Sequence, residues 1–389
     1  MTNYDETIKK EFGFLDSLIH VNVCSVGVIP KRTQNANASF MDQYLHMVYD
    51  VNNVDFEKER RKAKIEISKL INADMDELAY TKNTTEGTSV IACGYPLGKD
   101  DNVVVIDQED ESNIFPWING ASKNGYDVKI VKTDGKTLTE EMILKETDSH
   151  TRIVALSAVE SLSGIRLDLS KLSKSLSQKG ILLSVDGIQA IGRLNVDVKR
   201  DGIAFLSCGG FKGLMSGFGT GFLYCRKDLI SKIIPSTVGS GSVVEVGDGH
   251  SLFQDKNDFA LLPTAGRFEG GSFNTLGIIL MGESSGLINE LGIQNIEKHI
   301  ISLEKQLRKD TEDIKHIEIL PSGELPSGMI VAYYDDCYYS MIDNILKGFN
   351  VSMTHRQGYL RMSIGMHNTP GDIKIISKML HTIDALYTN

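Results

Sequence analysis

The feature that most constrains this fold is a regular alternation of apolar runs and helical stretches between residues 77 and 225. Runs typical of buried strands recur at residues 77–81, 102–107, 127–132, 152–158, 181–186, 203–207 and 219–224. Amphipathic stretches such as Ser170–Gln178 lie between several of them. This alternation is typical of βαβ units, which build a mostly parallel sheet with helices on both faces. We therefore predict an α/β fold with a seven-stranded sheet, whose functional residues gather at the carboxyl ends of the strands.

The segments on either side of this region allow the domains and the remaining strands and helices to be predicted. We predict an N-terminal arm at residues 1–18, a large α/β domain at residues 19–280 and a small α+β domain at residues 281–389. Further strands are predicted at residues 18–23, 317–320, 328–334, 349–353 and 359–364. Further helices are predicted at residues 31–72, 277–314 and 371–386. The glycine-rich residues 226–280 are irregular, which is typical of a functional or interface loop.

Charge and cysteine usage exclude several classes of function. A net charge of −10 without a basic stripe argues against nucleic-acid binding. No apolar run reaches the length of a membrane span, and the first residues lack the apolar core of a signal peptide. The five cysteines are scattered without CxxC spacing, which fits reduced thiols and argues against a zinc site or disulfide framework. We expect a cytoplasmic protein with no metal, nucleic-acid or membrane partner.

One lysine, Lys212, stands among glycines between two apolar runs. A lysine between buried strands is costly unless its ammonium group is paired, neutral or covalently used. The alternative is a lysine whose stem covers apolar surface while its head stays in water. Asp186 ends the predicted strand at residues 181–186, where a buried acid needs a cationic or donor partner. The alternative for Asp186 is a helix cap or a structural ion pair.

Two further positions suggest anion binding. Thr84 and Thr85 stand where a strand passes into a helical run. Hydroxyl and free N–H groups at a helix start bind phosphate well, although the same residues also serve as plain caps. Near the C terminus, Arg361 lies among the apolar residues of a strand, and Arg356 precedes it. A guanidinium group there needs a carboxylate, from either a substrate or a structural salt bridge.

Together these residues supply what pyridoxal phosphate requires: a Schiff-base lysine, a partner for the pyridinium nitrogen and a phosphate site. From about Ile19 to its end, the chain resembles the class V, cysteine desulfurase-like branch of the fold-type I pyridoxal-phosphate enzymes. Each matching segment is loose alone, but their order and spacing together are specific. The segments are Asn83–Gly87, Ser112–Trp117, Val185–Gly192, Lys212, Gly219–Tyr224, Arg267–Asn274 and Leu360–Thr369.

The resemblance implies a role for each matching residue. Lys212 would form the Schiff base and move a proton between Cα of the substrate and C4′ of the cofactor, and Asp186 would pair with the protonated pyridine nitrogen. These two are the implied catalytic residues. The implied cofactor-binding residues are Thr84, Thr85, Glu86, Asp110, Ser161, Asp186, Gln189, Ser207, Lys212 and Ser272. The implied substrate-binding residues are Arg361, which takes the α-carboxylate, Arg356 as a second candidate, and Asn22. The position of Ser272 reaches the phosphate of a neighbouring subunit in the family, which implies a homodimer.

The sequence departs from the family pattern around the cofactor ring. Asp110 stands where the family usually has a His or an aromatic residue stacked on the ring, and a carboxylate cannot stack in this way. Three other usual polar residues are replaced, a His by Phe211, a phosphate-binding Ser by Gly209 and an Asn near the phenolic oxygen by Ser161. The phosphate would therefore depend more on Thr85, backbone groups and Ser207.

The reaction is predicted less narrowly than the cofactor. Cysteine desulfurases carry a nucleophilic Cys shortly before the arginine that matches Arg361, whereas here only Thr-His-Arg-Gln-Gly-Tyr-Leu lies between Met353 and Arg361. Transamination of an amino acid or small amine leads, since it needs only Lys212, the electron sink and a carboxylate clamp. A C–S or β-lyase and an epimerase use the same carbanion and stay as alternatives. An inactive binding protein is a further alternative, because Asp110 departs from the family pattern. The sequence argues against a nucleotide-binding dehydrogenase. Residues 217–222 do not have the GxGxxG pattern, and they precede a strand instead of linking a strand to a helix.

Overall fold

A computed structural model of the chain describes residues 3–15, 17–47, 56–244 and 260–388. The strands within these ranges are β1 (Ile19–His20), β2 (Leu78–Thr81), β3 (Asn102–Ile106), β4 (Asp127–Val131), β5 (Thr151–Ser157), β6 (Leu182–Asp186), β7 (Phe205–Gly209), β8 (Gly221–Cys225), β9 (Glu318–Ile319), β10 (Met329–Tyr333), β11 (Val351–Ser352), β12 (Thr354–Arg356) and β13 (Tyr359–Ser363). The α-helices are α1 (Asn3–Phe12), α2 (Lys31–Met47), α3 (Phe56–Ile71), α4 (Thr84–Gly94), α5 (Glu111–Asn124), α6 (Glu140–Glu146), α7 (Leu169–Ser177), α8 (Lys227–Ile230), α9 (Thr275–Leu291), α10 (Ile293–Asp310), α11 (Tyr339–Gly348) and α12 (Pro370–Asp384). None of these described helices is both long and apolar enough to cross a membrane.

The strands predicted between residues 77 and 225 form one seven-stranded sheet. Their order is β2-β8-β7-β6-β5-β3-β4. Neighbours run parallel from β7 through β6, β5 and β3 to β4. The exception is β8, which is antiparallel to both β2 and β7. The predicted α/β class with a mostly parallel seven-stranded sheet is confirmed.

Strand β3 shows why this sheet is covered on both faces. All of its residues are buried. Val103 and Val105 join the apolar cluster that contains Trp117 of α5. Val104 and Ile106 join the other cluster, on the opposite face. Because successive side chains of a strand point to opposite faces, an unbroken apolar run requires an apolar layer on each side.

The C-terminal part of the chain adds two smaller sheets. Four strands pair antiparallel in the order β12-β13-β10-β9, and β1 pairs in parallel with β11. The chain stays beside this region after β1, since Asn22 bridges to Ser363 of β13. Residues predicted to begin the large domain therefore pair with the small one, and the predicted boundary between residues 280 and 281 lies within α9. Strand β12 was not predicted, and the predicted helix at residues 31–72 is two helices, with residues 48–55 outside the described ranges.

Arg193 connects the central sheet region with the C-terminal region. It is 2% exposed and donates four hydrogen bonds, all to main-chain carbonyl oxygens. The acceptors are the carbonyl oxygens of Gln189, Ser327, Gly328 and Ile364, at 2.9 to 3.2 Å. A buried guanidinium group satisfied in this way fixes the turn after β6 against two segments of the C-terminal region.

Candidate active site

Lys212 lies in the connection between the antiparallel strands β7 and β8. The connection folds back on itself, because the Gly210 N–H donates to Thr220 O at 2.8 Å and the Met215 N–H donates to Lys212 O at 3.1 Å. The Lys212 side chain is half-buried, with Nζ 5.5 Å from the ring centre of Phe211. Burial lowers the pKa of Lys212, although the nearby carboxylate of Asp186 opposes this effect. A lowered pKa increases the fraction of neutral amine, which is the nucleophilic form.

The segment that follows β1 passes directly against the lysine. The Gly27 N–H donates to Phe211 O at 2.8 Å. A Cβ at Gly27 would lie 1.9 Å from Lys212 O, so only glycine allows this approach. The N-terminal segment therefore forms one wall of the site, although the sequence places it almost 190 residues away from Lys212.

Asp186 stands at the carboxyl end of β6, as the sequence predicted, and is 1% exposed. Its Oδ1 accepts a hydrogen bond from the Ile188 N–H at 2.9 Å. Its Oδ2 is buried and has no hydrogen-bond partner among the residues that the structure describes. Burial raises the pKa of Asp186 to about 7. An orphaned oxygen of this kind requires a donor from outside the protein, as a protonated pyridine nitrogen would supply.

Gln189 and Ser161 lie in the connections that follow the neighbouring strands β6 and β5. Gln189 is 3% exposed, and its Nε2 donates to Cys24 O at 3.2 Å, while its Oε1 has no partner within the described ranges. Ser161 is buried after β5. Its carbonyl oxygen accepts a hydrogen bond from Nη1 of Arg361. The two residues thus connect the edge of the central sheet with the N-terminal segment and with β13.

The first turn of α4 supplies the predicted anion site. Asn83 caps the helix and accepts from the Glu86 N–H at 2.9 Å. The buried Thr84 hydroxyl accepts from the Gly209 N–H at 3.1 Å, which leaves its own proton free to be donated. Thr85 is exposed. The first N–H groups of a helix have no partner within it, so this turn can bind a phosphate.

Two further predicted cofactor-binding residues, Glu86 and Ser207, lie in or against the first turn of α4. The Glu86 carboxylate accepts from the Lys82 N–H at 2.6 Å, and its own N–H already donates to Asn83, so both groups have partners. Ser207 is 4% exposed in β7. A Cβ at Gly87 would lie 2.7 Å from Ser207 Oγ, so this hydroxyl lies against the first turn of α4.

Asp110, at the position of the expected aromatic ring, caps α5. Its Oδ1 accepts from the N–H of Ser112 at 3.0 Å and from the hydroxyl of Ser112 at 2.5 Å. Partial burial acts in the opposite direction, but these hydrogen bonds and the charges of Lys212 and Arg361 hold the pKa of Asp110 below its ordinary value. The residue therefore presents a negative charge to the two cationic groups of the site.

Arg361 lies in β13 and is 8% exposed. Besides Ser161, its guanidinium group contacts the hydroxyl groups of Ser25 at 3.3 Å and Thr354 at 3.4 Å. Its Nε is buried and has no hydrogen-bond partner in the part of the chain that the structure describes. These acceptors are neutral oxygen atoms, so the positive charge is left to attract a carboxylate from a substrate.

The remaining predicted residues lie at different distances from this centre. Asn22 accepts from the Thr354 hydroxyl at 2.8 Å and thus borders the Arg361 contacts. Arg356 is exposed in β12, two register pairs along the hairpin from Arg361. Ser272 is exposed and lines a cavity of about 760 Å³ together with Lys82, Asn83 and Gly219.

Three residues near the centre were missed as site residues. Cys24 is 1% exposed, with Sγ 3.6 Å from Asn22 Oδ1 and 3.9 Å from Thr354 Oγ1, and its electrostatic effect reaches Lys212. Glu109 and Glu160 are buried beside Asp186. No local pattern signals Cys24, because the fold alone brings it to Lys212. The signal for Glu160 was available, since the buried strand β5 is followed by two apolar residues, Ala158 and Val159, and then by this acid.

The residues present fit pyridoxal phosphate. The orphaned Oδ2 of Asp186 and Oε1 of Gln189 lie beside an amine, Lys212, of lowered pKa. The α4 turn and the Thr84 hydroxyl provide donors for a phosphate. Within the described residues, no group of three or more His, Cys, Asp or Glu side chains is arranged to hold a metal ion.

Known proteins resemble the chain over most of its length. The family model for aminotransferase class-V matches residues 30–376. A probable cysteine desulfurase of Methanothermobacter thermautotrophicus is 30% identical over 341 residues, which are 83% of this chain and 83% of that protein. A probable cysteine desulfurase of Pyrococcus abyssi is 27% identical over 320 residues, which are 81% of this chain and 77% of that protein.

Solved structures share the fold. The cysteine desulfurase CsdA from Escherichia coli has a TM-score of 0.85 at 19% identity, with 99% of each chain covered. The cystine C-S lyase C-DES, in complex with its reaction product cysteine persulfide, has a TM-score of 0.84 at 17% identity, with 95% of this chain and 99% of that chain covered. A further C-DES structure holds glycine covalently linked to the pyridoxal-phosphate cofactor and has a TM-score of 0.84 at 16% identity, with 96% and 98% covered.

Proposed function

Because the chain belongs to the aminotransferase class-V family and its cofactor is pyridoxal phosphate, we propose that it is a C–S lyase that removes sulfur from cysteine or a close derivative. The relatives named above carry the name cysteine desulfurase. Transamination, the leading prediction from the sequence, is not the activity that these names give. A C–S lyase, kept open as an alternative, agrees better with them.

The observation that carries the proposal is that Arg361 lies close enough to Lys212 for its charge to act on the lysine. Arg361 is buried, and its hydrogen bonds within the described residues go to neutral oxygens, so a substrate α-carboxylate would find a guanidinium group that is not hydrogen-bonded to any carboxylate. The charge of Arg361 acts on both Lys212 and Asp110, and the charges of Lys212 and Asp110 act on each other. An α-amino acid bound by its carboxylate at Arg361 therefore presents its amino group and Cα towards Lys212.

The residues of this chain then have distinct tasks. Bound pyridoxal phosphate withdraws electrons from the Cα of an amino acid. Lys212 in its neutral form takes the Cα proton, because burial lowers its pKa. Asp186 lies at a strand end with one oxygen free to hold a proton at the pyridine nitrogen. Arg361 fixes the carboxylate, so that the Cα–H bond keeps one orientation.

The fate of the sulfur separates two versions of the proposal. We favour elimination, in which the Cβ–S bond breaks and the sulfur leaves without bonding to the enzyme, as hydrogen sulfide from cysteine or as cysteine persulfide from cystine. Desulfuration onto an enzyme thiol is a second candidate, and the position of Cys24 between Asn22 and Thr354 favours it. Against it, Cys24 is 1% exposed and held by a hydrogen bond from its own N–H to Ser363 Oγ at 2.6 Å, so it lies on a fixed wall. Cys337 is exposed near α11, outside these contacts.

The test is a product analysis of the purified holoenzyme with cysteine, cystine and alanine. Elimination yields pyruvate and ammonia in equal amounts with the released sulfur. Desulfuration instead yields alanine and a persulfide on Cys24, seen by mass spectrometry and absent in Cys24→Ser. A 2-oxo acid formed without ammonia or released sulfur would replace the proposal with transamination. Lys212→Ala is the matched control, since it must abolish every one of these products.

We also propose a cytoplasmic homodimer. All five cysteines are free thiols, as expected in a reducing compartment. Exposed Ser272 and the cavity it lines leave room for a group from a second subunit. Mixing Lys212→Ala with Ser272→Asp subunits tests this arrangement. If Ser272 completes the neighbour's phosphate site, mixed dimers regain activity that neither variant has alone; no recovery despite mixed-dimer formation would contradict it.

A further inference from the structure

Three buried carboxyl groups lie together at the carboxyl edge of the central sheet. Glu109 follows β3, Glu160 follows β5 and Asp186 ends β6, which are neighbouring strands. Their exposed fractions are 6%, 1% and 1%. Three negative charges in one buried place would be very costly, so the group must hold protons or meet donors.

Glu109 meets donors. The N–H and the hydroxyl of Ser157 each donate to its carboxylate at 2.6 Å, and Asn113 Nδ2 donates at 2.9 Å. Ser157 is the register partner of Asp186 across β5 and β6. The neighbouring Ala158 N–H donates to Asp186 O at 2.8 Å. Glu109 is thus fixed beside Asp186 with its negative charge stabilised by hydrogen bonds.

Glu160 meets no such donor. Neither of its carboxyl oxygens accepts a hydrogen bond from an N–H or O–H group of the described residues, although both are buried. Its carboxyl group faces that of Glu109. Two carboxylates cannot hydrogen bond to each other, whereas a carboxylic acid can donate to a carboxylate.

We propose that Glu109 and Glu160 hold one proton between them, with Glu160 as the acid and Glu109 as the base, and that the pair presents one fixed negative charge to Asp186. The pair acts on the cofactor through Asp186, so both residues are positioning residues. A negative charge behind Asp186 favours a proton at the pyridine nitrogen, which keeps the ring electron-withdrawing at higher pH. The inference concerns the cofactor's environment and holds for lyase and transaminase chemistry alike.

The electrostatic surroundings agree with this assignment. Burial raises the pKa of both glutamates, and the hydrogen bonds that Glu109 accepts oppose the rise only for Glu109. Among the described residues, the charged groups that act most strongly on Glu160 are Glu109, Asp186 and Asp107, all acidic, which places the proton on Glu160.

Asp186 is faced by groups of both signs. Burial is the largest cause of the raised pKa of Asp186; among the nearby charged groups, Glu109 and Asp110 raise this pKa further, whereas Lys212 lowers it. Glu109 acts more strongly on Asp186 than Lys212 does. Removing the charge of the pair should therefore lower the pKa of Asp186.

Infrared spectroscopy of the cofactor-free protein with isotope-labelled glutamate tests the location of the proton. At roughly pH 8 the wild type should show a band of a protonated glutamic acid, far above the ordinary glutamate pKa. The band should be absent in Glu160→Gln and present in Glu109→Gln. A wild type without the band, or Glu160→Gln with the band, would overturn the proposal. If Glu109→Gln does not fold, the wild type and Glu160→Gln still decide the point.

The effect on Asp186 is tested by titrating its own carboxyl band, assigned as the band lost in Asp186→Asn. Glu160→Gln should titrate like the wild type, because the amide still donates to Glu109 and Glu109 stays charged. The double variant Glu109→Gln/Glu160→Gln carries no charge at the pair, so its midpoint should fall by roughly one pH unit. An unchanged midpoint in the folded double variant would show that the pair does not act on Asp186.

Discussion

The raised pKa of Asp186 predicts that cofactor-free protein loses stability as pH rises through the acid range. The folded pKa is about 7 against an ordinary value of 3.8, so the folded state binds the proton more tightly than the unfolded chain does. Between these two values the folded state carries more protons, and its free energy of unfolding therefore decreases as pH rises. The contribution is complete below the ordinary pKa and is lost above about pH 7. Because the side chain is 1% exposed, solvent does not screen this effect.

The magnitude follows from the size of the shift. A rise from 3.8 to about 7 corresponds to about 4 kcal/mol, at about 1.4 kcal/mol per pKa unit. Between about pH 5 and about pH 8, Asp186 alone should cost the folded apo-protein about 3 kcal/mol. Asp186→Asn cannot ionise, and its side-chain oxygen can still accept from the Ile188 N–H, so it should lack this loss.

The assay is urea unfolding of the cofactor-free wild type and of Asp186→Asn, followed by far-ultraviolet circular dichroism at both pH values. Other titrating groups are common to the two proteins and cancel in the difference. The wild type should lose about 3 kcal/mol more than the variant over this interval. Parallel losses, or a larger loss in Asp186→Asn, would refute the reasoning that burial dominates at this carboxyl group.

Three further substitutions test the site. Lys212→Ala should carry no reduced cofactor on its residue-212 peptide after borohydride treatment, whereas the wild type should; covalent cofactor on another lysine would contradict the assignment. Arg361→Ala should raise the KM for the amino acid by roughly 10- to 100-fold, the value of a hydrogen-bonded charge, with little change in cofactor affinity. Arg356→Ala, at an exposed position, is its control. An equal rise of the KM in both variants would contradict a specific role of Arg361 in substrate binding. Asp110→His should lose about 1 kcal/mol of stability through the lost cap of α5, yet bind the cofactor more tightly by equilibrium titration. A collapse of activity at full cofactor occupancy would give Asp110 a task of its own.

The large sheet was predictable because its information is local. The run Val103-Val-Val-Ile106 is apolar on both faces, and only a strand covered on two sides uses such a run. Asp186 was predictable for the same reason, since the carboxyl end of a buried parallel strand is defined by the strand itself. The order of Lys212 and Arg361 relative to it then indicated the cofactor.

The features that the sequence did not predict depend on contacts between segments that are distant along the chain. The pairing of β1 with β11 joins residues more than 300 positions apart, and no local pattern encodes it. Cys24 was not predicted, because its position at the site depends on the approach of Gly27 to Lys212 O and on the hydrogen bond from Gln189. Glu109 was not predicted, because its partner Ser157 belongs to another strand.

The hydrogen bonds of Arg193 make Arg193 itself sensitive to substitution, whereas most of the residues that accept these bonds can be substituted without losing them. All four of its acceptors are main-chain oxygens, which remain in place whichever side chain stands at residues 189, 327 or 364. Replacing Arg193 removes every one of these bonds at once, and no change at a partner residue can restore them. Gly328 is a separate case, because a Cβ there would lie 2.2 Å from Ile300 Cγ2 and 2.9 Å from the guanidinium group. These four hydrogen bonds, which join the central sheet region to the C-terminal region, therefore depend on a single side chain, whereas three of the residues that accept them are free, as far as these contacts are concerned, to change.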